Sequence, residues 1–108
     1  MPDAITDPDA RLLKEAGNAV VAIDIRYRLA SFQEQAEMRD ERDSAFSAYA
    51  AARNKLLAQG VIAGEAEIAE MRAIAAEVKK AAETASLLRA IGKAVLLLSR
   101  VAMPRPLG

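Results

Sequence analysis

The side chains with the most evident chemical potential are carboxylates. Glu34, Glu37, Asp40, Glu41 and Asp43 fall within ten residues, and Glu65, Glu67 and Glu70 form a second group. Clustered acids could hold a hard cation. Here Arg39 and Arg42 are interleaved with the first group, which makes it a solvated charged face rather than a cation cage. The second group has the spacing of a helix N-terminal turn followed by an exposed face.

Most other chemistries lack their residues. The chain has no His and no Cys, which removes His-based nucleophile systems, His zinc sites and thiol chemistry. It also removes the Glu-x-x-His pairs with which helical bundles hold di-iron centres. Gly60 and Gly64 lack the Lys-Ser/Thr and the preceding strand of a phosphate loop. Two Tyr, two Phe and no Trp give no stacking platform for bases. The expectation is a non-enzymatic protein with no cofactor and no metal. The formal net charge is zero, without the basic excess that marks nucleic-acid binders.

The elements that must position these residues are helices. Alanine is the commonest residue, with Leu, Glu, Lys and Arg filling much of the rest, and these are strong helix formers. No stretch alternates as a strand would. Asp7-Pro8-Asp9 is a helix start, with an N-cap, a proline at the first position and an acid in the first turn. Residues 59–64, with Gly60 and Gly64, are the one strong turn signal before Pro104. The expected fold is therefore all-α, a long antiparallel helical hairpin over residues 7–103 with its turn at 59–64. Residues 1–6 and 104–108 are expected as tails. A break near Asp43 would give three helices in place of two.

A short-loop hairpin pairs residue i with about residue 124 − i. The seam would then join Leu56 with Ile68, Phe46 with Val78, Leu29 with Val95 and Ile25 with Leu98, and would lay Phe32 over Gly92. Met71, Ile74, Val78, Ala81, Ala85, Leu88, Ile91, Val95, Leu98 and Ala102 supply its heptad-like second half.

Two surfaces are left over in that arrangement. Leu13, Ala16, Val20, Ile23 and Tyr27 form a second stripe, away from Val21, Ile25, Leu29 and Phe32. Leu87, Leu96, Leu97 and Val101 add apolar surface beyond the seam. Apolar patches of this extent are rarely left in water. They are expected to assemble the hairpin into a helical bundle with copies of itself, a dimer or higher, or to dock it on another helical protein. Arg89, Lys93 and Arg100 share one face of the last helix. They suit a bundle surface or an acidic partner, and less well an anionic membrane surface. The candidate interaction residues are thus Leu13, Val20, Ile23, Tyr27, Arg89, Lys93, Leu97 and Arg100. Without a basic n-region and apolar leader the expected compartment is the cytoplasm of a cell or an infected host. No uncharged run approaches the roughly 20 residues of a membrane span.

Overall fold

The computed structural model describes residues 7–59 and 64–103. Its described residues form four helices and no strand: α1 (Pro8–Leu29), α2 (Phe32–Gln59), α3 (Glu65–Lys80) and α4 (Thr84–Ala102). The fold is an all-α bundle, as composition and periodicity require. The turn at Gly60 to Ala63 and both expected tails lie outside the described residues.

The expected helix starts are present. The Asp7 carboxylate accepts from the Asp9 backbone N–H at 3.2 Å, with Pro8 in the first turn. Gly64 caps α3, and its N–H donates to the Glu67 carboxylate at 2.9 Å. Each of these bonds satisfies an N–H that has no partner inside its helix.

Each expected long helix is divided in two, and Asp43 is not where the first one divides. Asp43 lies in the middle of α2, and the chain turns instead at Ala30-Ser31. A second turn, at Ala81 to Glu83, separates α3 from α4. The molecule is thus two helical hairpins, α1–α2 and α3–α4, laid side by side.

The 124 − i register is replaced by a parallel one. Arg11 meets Glu65, Glu15 meets Arg72, and Arg26 reaches Val78 and Ala81, at sequence separations of 54, 57, 52 and 55. Near-constant separation along two helices means that they run in the same direction. The second parallel pair is α2 and α4, where Thr84 donates to Glu34 and the Lys55 ammonium donates to the Met103 carbonyl. These two parallel pairs share the largest packing surfaces. Across the bundle α1 touches α4, whereas α2 and α3 occupy the other diagonal and do not pack on each other among the described residues. The expected pairs Leu56–Ile68 and Phe46–Val78 are therefore not made.

The interior follows from this arrangement. Leu12, Ala16, Ala19, Val20 and Ile23 of α1 meet Ile68, Met71, Ala75 and Val78 of α3 and the apolar face of α4, from Leu87 to Val101, in one core. Among the large buried residues of α2 only Met38 and Leu56 contribute; Ala45 and Ala52 complete its narrow seam at intervals of seven and four. Alanines let the backbones approach, and the Leu, Ile and Met side chains opposite supply buried area at about 25 cal/mol per Å². Gly92 does not receive Phe32: a Cβ there would meet nothing within 4 Å, and Phe32 is exposed.

Candidate interaction surface

The division of the helices exchanges the roles of the two stripes on α1. Val20 and Ile23, expected on an interaction face, are buried in the chain's own core, and Leu13 packs against it. Tyr27 is partly buried, with the Arg42 guanidinium 4.8 Å from its ring centre. Leu97 of α4 is fully buried. Val20, Ile23 and Leu97 are closed to a partner, and Leu13 and Tyr27 are covered in part by the chain itself. This stripe is covered when the chain folds back a second time, and the stripe expected in the seam is left outside.

The basic stripe of α4 is exposed, and two of its three members are matched. Lys93 sits 3.1 Å from Glu77, and Arg100 lies 3.1 Å from Glu70. Both pairs cross the α3–α4 seam. Glu70 and Glu77 are seven apart, as are Lys93 and Arg100, and the two series run in opposite directions. Exposed pairs of this kind are worth at most about 1 kcal/mol each, and their value is in setting register. Arg89 donates only to the hydroxyl of its neighbour Ser86, at 3.3 Å.

Of the first acidic cluster, Glu34 and Asp43 have structural partners, and Glu37 and Asp40 are exposed. Ser31 and Glu34 form a capping box: the Glu34 N–H donates to the Ser31 hydroxyl at 3.2 Å, and the Ser31 N–H donates to the Glu34 carboxylate at 3.1 Å. The Thr84 hydroxyl adds a bond to the same carboxylate at 2.8 Å. The Ser31 backbone bond, then Thr84, hold the Glu34 pKa below its ordinary value. Asp43 pairs with Arg42, which also holds Asp24 at 2.8 Å. That Arg42 bond lowers the Asp24 pKa, with Arg28 adding to it against a smaller effect of burial. Among the described residues no group of three or more acids is placed to hold a metal ion.

What stays uncovered is the stripe expected in the seam. Val21, Ile25, Leu29 and Phe32 are 57, 50, 79 and 86% exposed. Val21, Ile25 and Leu29 recur every four residues on α1, and Phe32 is exposed at the start of α2, just past the turn. The upper part of the stripe borders a groove between α1 and α3, lined by Asn18, Val21, Ala22, Ile25, Arg26 and Lys79. Phe46, Leu57, Leu96 and Met103, on α2 and at α4, are also exposed.

Arg26, not singled out by its sequence context, is the most connected residue at this surface. From α1 it donates to the carbonyls of Val78, Lys79 and Ala81, at 3.0, 3.3 and 2.6 Å. It thereby closes the C-terminus of α3 beside the groove. No residue spacing announces this role, because its partners are backbone atoms more than fifty residues away. Among the described residues no helix is long and apolar enough to cross a membrane. No family model, curated protein or solved structure matches the chain.

Proposed function

We propose that this chain is a non-enzymatic helix-face interaction protein: a closed four-helix unit that presents one apolar stripe of α1 to a protein partner. The observation that carries this reading is the exposure of Val21, Ile25 and Leu29 in one row on α1, with Phe32 exposed just past the turn, on a bundle whose other large apolar residues are mostly inside. Contiguous apolar patches on a monomer are often functional surfaces. The expectation of a homo-oligomeric core drew on Leu13, Ala16, Val20, Ile23 and Tyr27 and on Leu87, Leu96, Leu97 and Val101. Of these the chain itself buries Ala16, Val20, Ile23, Leu87, Leu97 and Val101 and covers Leu13 and Tyr27 in part, with Leu96 left exposed. A membrane-surface role for α4 is weakened in the same way, because its apolar face is interior and Lys93 and Arg100 are held by carboxylates.

The test is site-specific photocrosslinking in cells that make the protein. A benzophenone side chain replaces Ile25 in one variant and exposed Arg53, on α2, in another. The expected result is one or a few discrete adducts from position 25 and none from position 53. Equal adduct formation from both positions, or none from either, would refute a docking role for the stripe.

A further inference from the structure

We infer that the partner segment seated on the α1–α3 face is an amphipathic helix carrying acidic residues beside its apolar stripe. This rests on the docking reading above and gives the partner its chemistry.

The shape of the face selects a helix. Lys14, Asn18, Val21, Ile25 and Leu29 follow one another at intervals of three and four, so they form a single row along α1. The row covers about 22 Å at 1.5 Å per residue, which a partner helix of about four turns would span. An apolar row beside a groove between two helices is the surface that an i, i+3, i+4, i+7 face packs into. No strand edge is available among the described residues to capture an extended segment.

The charges at the rim select the sign. Lys14 lies at one end of the row, and Lys79 lines the groove from α3. Neither has an ion-pair partner among the described residues. Arg28, at the other edge, has a side chain 74% exposed even though it bonds Asp24. Asp24 and Glu15, the carboxylates of α1 that flank the row, are only 19 and 15% exposed, and both are already held, Asp24 by Arg28 and Arg42 and Glu15 by Arg72. The face therefore offers free cations and no free acid. A second copy docking through the same face would bring cations against cations, because a two-fold interface uses one patch twice. An acidic helix meets the apolar row and neutralises its rim together.

The experiment uses two fluorescent 18-residue synthetic helices with the same leucine face. One carries Glu at the flanking positions and the other carries Lys there. Each is titrated with the full chain by fluorescence anisotropy, and the mass of the chain alone is measured by light scattering. The acidic helix should bind at least about tenfold more tightly than the basic one. Ile25→Asp should abolish binding, and the Lys14→Glu, Lys79→Glu double variant should reverse the preference. Thermal melts of each variant confirm that it is folded. Equal binding of the two helices, binding of neither, or a stable dimer that Ile25→Asp returns to monomer would each overturn the inference. If position 25 crosslinks discretely in cells while the acidic helix shows no advantage, the acidic partner is refuted and the docking surface stands. If position 25 does not crosslink, the docking surface itself is refuted.

Discussion

The two turns that convert a long hairpin into a four-helix bundle are built in different ways. The turn between α1 and α2 is local. Ser31 and Glu34 cap each other's backbone, the Ala30 N–H donates to the Tyr27 carbonyl, and the Gln35 side chain donates to that same carbonyl at 2.8 Å. Every one of these partners lies between Tyr27 and Gln35. The turn between α3 and α4 has one such local bond, from the Ala81 N–H to the Glu77 carbonyl at 2.9 Å, and no side-chain bond of its own. Ala81 ends α3 in extended backbone, and Glu83 precedes α4 with no side-chain cap bond. Its support comes from elsewhere, from Arg26 on α1 and from Glu34, which receives the Thr84 hydroxyl. A cation over the last carbonyls of α3 also opposes the negative end of the helix dipole. The first turn is thus encoded where it occurs, while the second requires α1 to be packed on α3. The difference implies an order of dependence: loss of the first hairpin's packing removes the second turn, and the reverse does not hold.

Substitutions at the two turns separate these cases. Arg26→Ala should have the largest effect. It leaves three carbonyls without their donor, a loss of about 2–3 kcal/mol, and it permits α3 and α4 to join as one helix. Denaturant melts should show the loss, and light scattering should show a new dimer in which opened hairpins exchange partners. Unchanged stability with an unchanged mass would mean that the second turn does not depend on Arg26. Ser31→Ala should cost about 1 kcal/mol, as capping residues do, and should leave the mass unaltered because the parallel packing is intact.

Acid should act on the same contrast. Glu34 and Asp24 both have folded pKa values below their ordinary ones. Their contributions are therefore complete above the ordinary carboxylate range, near pH 4, and are lost as pH falls through the lower folded values. Melting temperature followed from about pH 6 downward should decline less steeply in Glu34→Gln than in the natural chain. Parallel slopes would show that the capping box does not depend on this carboxylate. Ala82→Pro should have the smallest effect, within about 0.5 kcal/mol, because Ala81 already has the extended ψ of 122° that a following proline requires. In a continuous helix the same change would cost about 3 kcal/mol, so a large loss would refute a turn at this position.

The same contrast accounts for what was legible in advance. Asp7-Pro8 and Gly64-Glu65 announce helix starts through local chemistry, and the structure has both. Ser31-Phe32-Gln33-Glu34 was equally legible, since Ser-x-x-Glu is a capping-box pattern; a reading that waits for Gly or Pro passes over it. Ala81-Ala82 was not legible, because alanine is the strongest helix former and tertiary bonds override it there. The choice between the two stripes of α1 was hidden for a related reason. Val20 and Val21, or Ile23 and Ile25, are alike in hydrophobicity, so either face of α1 could serve as the buried one. The buried face is the one that carries Ala16 and Ala19, where close approach is available. That preference follows from the four-helix geometry and not from periodicity. The salt bridges of Lys93 and Arg100 become readable only after the second turn is known.

The parallel packing of α1 on α3 is the claim on which the rest depends, and one distance tests it. The chain has no Cys, so cysteines at exposed Lys14 and Ala69 can carry spin labels at unique sites. Pulsed electron–electron resonance on labelled protein diluted into unlabelled protein reports the distance within one chain. Side-by-side hairpins place the two labels on neighbouring helices, at a distance on the order of 20 Å including the label arms, which sit on helices about 10 Å apart. A straight hairpin turning only at residues 59–64 would hold them about 60 Å apart, at 1.5 Å per residue. The short distance in a monomer of 11.6 kDa is the predicted result. The long distance would contradict the fold and return Val21, Ile25 and Leu29 to the interior.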